Sequence, residues 1–139
     1  MKADDLIIPL SDACTVSTNA SLGDAVLKLN KNRVGIIIVT ANNSKELHSI
    51  LTEGDIRRIL TSGQHSFSQL MGDQIIKFSN KNPIYVSSQT PVRELILCMC
   101  KNKIWDIPIV ESDRTLKGFV HMHDAVAAFT DLTACHEHF

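Results

Sequence analysis

The sequence has no surplus of charge and no long apolar run, and each shortage removes a class of function. Fourteen Lys and Arg stand against fifteen Asp and Glu, for a formal net charge of −1. A general nucleic-acid binder needs a basic surplus to hold phosphate backbones, so no nucleic-acid partner is expected. No apolar stretch approaches the ~20 residues that span a bilayer. Met1-Lys2-Ala3-Asp4-Asp5 is acidic where a secretory signal would be basic. The expectation is a cytoplasmic protein with no membrane segment. Cys14, Cys98, Cys100 and Cys135 form no C-x-x-C pair, and Cys98 and Cys100 fall two apart in a helical pattern, facing different directions. They read as reduced thiols. G-x-S-x-G, phosphate-loop and dinucleotide glycine patterns are missing, and Cys135 beside His136 is not a triad, because such partners meet in space. The chain itself reads as no enzyme, with no required cofactor. His121 and His123 would share a face if both lay on a strand, and His136 and His138 lie in the tail. No zinc-ligand spacing joins them, so no metal site is expected, and a metal sensor is the weakest reading.

What is present is a globular composition, 44% apolar and 21% charged over 139 residues, enough for one domain or two small halves sharing a core. The chain is organised around Ser49-Ile50-Leu51-Thr52-Glu53-Gly54-Asp55-Ile56-Arg57-Arg58-Ile59-Leu60. It reads as an apolar strand entering an amphipathic helix, with Thr52 and Asp55 in the T-x-x-D spacing of a helix start. The arrangement returns at Gly118-Phe119-Val120-His121-Met122-His123-Asp124-Ala125-Val126. Two copies of one junction imply an internal repeat.

The surrounding pattern repeats with it. After an arm at residues 4–10, where Pro9 ends a strand or confines it to an edge, Thr15-Val16-Ser17 opens the first unit. Ser21 caps a helix with Leu22, Ala25, Val26 and Leu29 on one stripe. Gly35-Ile36-Ile37-Ile38-Val39 fits a strand buried on both faces, and Asn42-Asn43-Ser44 is a turn. Leu47 to Leu51 leads into a helix expected to bury Ile56, Ile59 and Leu60 and to end at Gly63. In the second unit Ile84-Tyr85-Val86 opens, Pro91 starts a helix carrying Val92, Leu95, Ile96 and Met99, and Ile107-Pro108-Ile109-Val110 is the buried strand. Spacing between the copies is constant to within about one residue. The units are assigned to residues 10–66 and 84–131, with a connector at 67–83 and a tail at 132–139. Each is β-α-β-β-α, an α/β (α+β) pattern too small to bury its sheet alone, so the two should pack as a pseudo-twofold pair.

This arrangement resembles the cystathionine-β-synthase (CBS) domain, in the tandem pair called a Bateman module. The family pattern, Gly, two apolar residues, Thr or Ser, any two residues, Asp, matches Ser49 to Asp55 with Ser49 for Gly, and Gly118 to Asp124 with His121 for Thr. Both junctions look like the C-terminal CBS pair of KpsF/GutQ-type arabinose-5-phosphate isomerases, and the first half is also similar to pairs fused to sugar nucleotidyltransferases. The isomerases carry a sugar-isomerase (SIS) domain ahead of the pair, which the residues before 15 cannot hold, so a fragment or a free-standing module is implied.

A helix N-terminus attracts phosphate, and Thr52 has a hydroxyl to donate to it. Asp55 would repel phosphate and suits a ribose diol, the role the resemblance assigns to it and to Asp124. Arg57 or Arg58 supplies countercharge, and with His121 in place of Thr the second site is either empty or takes a phosphate held by a protonatable imidazole. The resemblance places a base at Val34-Gly35-Ile36 in the first copy and Ile104-Trp105-Asp106 in the second. Trp105 is suited to stacking or to the rim of the core. The same T-x-x-D is also a plain capping box, with Arg57 and Arg58 on a solvated face. Two functions remain. One is a regulatory module binding AMP, ATP or, as feedback on an isomerase, a CMP-linked sugar acid. The other is a ligand-free association module that holds an enzyme as a homodimer or higher oligomer.

Overall fold

The computed structural model describes residues 1–32, 34–63 and 65–130. A 3-10 turn at Ala3–Leu6 leads to β1 (Ile8–Pro9), a second such turn (Leu10–Asp12), β2 (Cys14–Ser17), α1 (Leu22–Asn32), β3 (Ile36–Thr40), β4 (Leu47–Thr52) and α2 (Glu53–Thr61). Then come α3 (Phe67–Gly72) and a 3-10 turn (Ile75–Lys77), followed by β5 (Val86–Ser87), α4 (Val92–Asn102), β6 (Asp106–Val110), β7 (Leu116–His121) and α5 (Met122–Thr130). Local chemistry sets the boundaries. The Ser21 hydroxyl accepts the Asp24 amide at 3.1 Å and starts α1, and Ser66 with Gln69 forms a reciprocal capping box on α3. Gly63, at φ +71, follows α2, and Lys103, at φ 55, closes α4 in the left-handed conformation.

The strands form two sheets, ordered β2-β3-β4 and β1-β7-β6-β5. Within each repeat the opening strand pairs parallel with the central one, which pairs antiparallel with the third. Apart from β1, the sheets match strand for strand, so the fold is a pair of β-α-β-β-α repeats related by a pseudo-twofold axis. Their outer neighbours are exchanged. The N-terminal arm docks on the second repeat: β1 pairs with Phe119 and Gly118 of β7, Ala3 N–H donates to the Thr90 carbonyl at 2.8 Å, and Val92 N–H donates to that of Met1 at 3.1 Å. The connector docks on the first in the same way. Ile75 N–H reaches the Ala20 carbonyl at 2.9 Å, Leu22 N–H that of Asp73 at 2.8 Å, and Asn80 exchanges two backbone bonds with Ile50. β1 is an edge strand, as Pro9 requires.

Three apolar clusters result. One holds Leu22, Ala25, Leu29, Ile37, Val39 and Leu51 under α1 and α2. Another holds Leu95, Met99, Ile107, Ile109, Val120 and Ala125 under α4 and α5. Between them the sheets face each other through Ile36, Ile38, Leu47 and Ile50 from the first and Val110, Leu116 and Phe119 from the second. β3 thus buries both faces, with alternate residues in different clusters.

Three details differ from the sequence expectation. Leu60 is 43% exposed although it shares a face with the buried Ile56, one turn back, because it sits in the last turn of α2. Pro91 caps α4 from outside, with extended ψ 143, instead of starting it. It bridges to Lys2, so the arm fixes its conformation. The second opening strand begins at Val86 and not Ile84. Its parallel pairing starts at Ile109, one residue past Pro108, which brings no N–H to a ladder.

Candidate ligand-binding cleft between the repeats

The first junction is a completed capping box. The Asp55 amide donates to Thr52 Oγ1 at 3.2 Å, and the Thr52 amide donates to Asp55 Oδ2 at 3.0 Å. Arg58 pairs with the other carboxylate oxygen, and Arg57 is exposed. Partial burial pushes the Asp55 carboxyl up, but the Thr52 hydrogen bonds and the Arg58 guanidinium outweigh it and hold the group below the usual carboxylate range. A depressed folded value means that Asp55 stabilises the fold above its unfolded pKa, and that this contribution is lost as pH falls through the folded value. Asp55→Ala should therefore cost about 1 kcal/mol at neutral pH, the usual value of a cap. The difference from wild type should be smaller in acid, below the ordinary Asp value of about 3.9, where the carboxylate is being protonated. Urea unfolding at both pH values checks this, and an equal difference at both would rule it out.

The second junction keeps the frame and changes the chemistry. Glu53 N–H donates to the Gly35 carbonyl at 3.1 Å, and Met122 N–H to the Trp105 carbonyl at 2.8 Å. Gly35 and Trp105 are therefore matched positions. The strand pair Ile36–Thr52 in the first repeat becomes Asp106–His121 in the second. His121 Nδ1 lies 2.8 Å from Asp106 Oδ1, and the Asp106 side chain is only 10% exposed. Sequence reasoning placed Asp106 only in the backbone run Ile104-Trp105-Asp106 and gave its carboxylate no role. The available signal was a carboxylate standing where the first copy has a buried isoleucine.

A cavity of about 240 Å³ opens here, across the repeats. Ile8 and Phe119 give it apolar walls, Val34 and Gly35 come from the first repeat, and Asp106, His121 and Asp124 from the second. Gly35 has no side chain to fill it. A Cβ there would stand 3.4 Å from Asp106 Oδ2 and 3.9 Å from Glu53 Oε2. Of the residues singled out from sequence, the cavity thus joins Gly35, His121 and Asp124. Thr52, Asp55 and Arg57 lie outside its walls, Ile36 is buried in the central cluster, and Trp105 is 70% exposed. A hollow of about 290 Å³ beside Met1, Pro91 and Phe129 contains no junction residue.

His121 ends β7 while His123 is in the first turn of α5, so the two do not alternate along one strand. Among the described residues no three His, Cys, Asp or Glu side chains are placed to hold a metal ion, and no helix is long and apolar enough to cross a membrane. Cys14, Cys98 and Cys100 are free thiols, and burial pushes that of Cys14 up to about 11 against the pull of Lys28. Cys135, His136 and His138 lie outside the described residues.

The family model for the CBS domain matches residues 3–62 and 74–131. The arabinose 5-phosphate isomerase KdsD of Yersinia pestis is 27% identical over 128 residues, covering 92% of this chain and 37% of the isomerase. The chain spans about a third of the length of the curated relatives it matches. CBSX2 of Arabidopsis thaliana, solved in complex with AMP, superposes with a TM-score of 0.80 at 20% identity over 95% of this chain and 98% of that one. A CBS domain protein from Pyrobaculum aerophilum, also complexed with AMP, gives 0.76 at 23% identity over 89% of each. At these identities the structural likenesses establish the fold. With the family matched twice, over nearly all of its length, this chain belongs to the CBS domain family and is a tandem CBS pair.

Proposed function

We propose that the pair is a regulatory ligand-binding module that takes a nucleotide or nucleotide-sugar between its repeats and modulates a sugar-phosphate isomerase, attached or associated. The observation that carries this reading is the cavity between the repeats, with apolar walls, an open floor at Gly35 and Asp124 at a helix start. By the symmetry of the repeats we assign Thr52, Asp55 and Arg57, with Trp105 at the position matching Gly35, as the corresponding set for the first junction. Asp55 and Asp124 take ribose hydroxyls, and Arg57 offers countercharge to a phosphate. The AMP complexes of structural relatives support the ligand class, and the KdsD relatives support an SIS-type isomerase as the regulated enzyme over a sugar nucleotidyltransferase. A CMP-linked sugar acid is the feedback ligand such an enzyme would answer to. Regulation then requires that ligand to bind one arrangement of the pair more tightly than another.

Thermal unfolding with AMP, ATP, S-adenosylmethionine, CMP and a CMP-linked sugar acid tests the reading. A ligand at 100 times its Kd should stabilise by about 2.7 kcal/mol, a rise of several degrees, and Asp55→Ala or Asp124→Ala should remove it. The exposed Leu27, Leu97 and Phe129 on the helices favour a second reading, a homodimerisation module in the same cytoplasmic setting. A stable dimer with no response to any ligand would select it.

A further inference from the structure

The two repeats dock their outer segments alike but differ in what lies beyond the docking point. On the first, Leu22 N–H donates to the Asp73 carbonyl and Ser21 bridges Gln74. On the second, Val92 N–H donates to the Met1 carbonyl and Pro91 bridges Lys2. Asp73 and Met1 are therefore matched positions. α3 stands directly ahead of Asp73 and packs on α1. Its Leu70 and Met71 join the cluster of Leu22, Ile56 and Ile59, and a Cβ on Gly23 would come within 2.9 Å of the Met71 carbonyl oxygen. The matching surface of the second repeat is the hollow of about 290 Å³ between the start of α4 and the end of α5. Pro91, Val92 and Arg93 stand there for Ser21, Leu22 and Gly23, and Ala128 and Phe129 for Ile59 and Leu60. The described residues include no counterpart of α3 over it, and Met1 and Phe129 are exposed.

We propose that this hollow is a docking seat for a short helix of a partner protein, apolar on one face, bound as α3 is bound on the first repeat and with its C-terminal end toward Arg93. α3 shows the chemistry that fits, a capped six-residue helix, Phe67–Gly72, with Leu70 buried beneath it. Two differences adapt the seat to an incoming chain. Ala128 in place of Ile59 leaves room for a further apolar side chain. Arg93 in place of Gly23 keeps the incoming backbone farther out, and its guanidinium meets the carbonyls that a helix leaves unpaired at its C-terminus. A helix held there touches Met1, the start of the arm that carries Ile8 into the wall of the cleft. The seat shares no lining residue with that cleft, so the inference stands apart from what the cleft binds.

A copy of residues 65–72 placed ahead of Met1 in the full chain is the test, a tethered probe whose last residue meets Met1 as Gly72 meets Asp73. The control carries Leu70→Ser and Met71→Ser in the copy. Hydrogen exchange should show the probe's amides protected at least tenfold over the control's, and the melting temperature should rise by several degrees. Arg93→Glu should reduce the protection, because it sets a carboxylate against helix carbonyls. Arg93 is exposed, and circular dichroism confirms that the variant is folded. Equal exchange in probe and control overturns the proposal. So does protection that appears only when residues 131–139 are removed, which makes the tail the occupant. So does a dimer that the probe converts to monomer, which gives the seat to a second copy of this chain.

Discussion

Gly118→Ala should destabilise the fold by about 3 kcal/mol, at the upper end of what overpacking a well-filled site costs. Gly118 lies in β7 directly opposite Pro9 of β1. A Cβ there would overlap the carbonyl oxygen of Ile8 and Cγ2 of Ile7. The main obstacle is backbone, so no rotamer change relieves it, and the arm must lift from the sheet. Lifting it exposes Ala3, fully buried in the second repeat's cluster, and frees the bonds from Ala3 to Thr90 and from Val92 to Met1. The first repeat offers an internal control. Its matching residue is Ser49, faced by the connector at Ser79, and the two buried hydroxyls bond at 2.8 Å. Ser49→Gly should cost about 1–2 kcal/mol, for the hydroxyl's bonds to Ser79 and to His48 Nδ1 (2.9 Å) and added chain freedom. Urea unfolding gives both values. Deleting residues 1–9 should add little to Gly118→Ala, since both remove the same docking. A wild-type midpoint for Gly118→Ala would show that β1 is not held against Gly118.

What was legible in the sequence was whatever local chemistry repeats. The stripe Leu22, Ala25, Leu29 and its copy Val92, Leu95, Met99 are buried as their spacing requires, and Thr52 with Asp55 caps α2 as written. The exchange of arms was not legible. Residues 1–9 precede the first repeat and dock on the second, and nothing in the arm's own pattern carries information about a partner sheet more than a hundred residues away. The cavity was hidden for the same reason. Sequence order groups Gly35 with Thr52, but pseudo-twofold packing places it with His121 and Asp124 from the other repeat. The Asp106 carboxylate, named from sequence only within a backbone run, gained its partner through the strand register with His121.

Ile38→Ala should cost about 3–4 kcal/mol, the range for truncating a fully buried aliphatic side chain, and should do so without splitting the unfolding transition. Ile38 is completely buried at the centre of the middle cluster, opposite Ile50 on β4. Both repeats supply that cluster, with Ile36 and Leu47 on one side and Val110, Leu116 and Phe119 on the other. A cavity opened there weakens the surface on which each sheet depends for its second buried face. Each half, at roughly 60 residues, buries a small enough fraction of its surface to be marginal alone. The cross-repeat bonds from Leu47 N–H to the Arg114 carbonyl and from Leu116 N–H to that of Lys45 tie the turns to the same event. Met99→Ala, confined to the outer cluster of the second repeat, should show a comparable loss and the same single transition. Trp105 fluorescence reports on the second repeat, and far-ultraviolet circular dichroism on both. Coincident curves in Ile38→Ala would establish one cooperative unit. Separate midpoints would mean that each repeat keeps a core of its own, and that the exchanged arms, not the central cluster, hold the pair together.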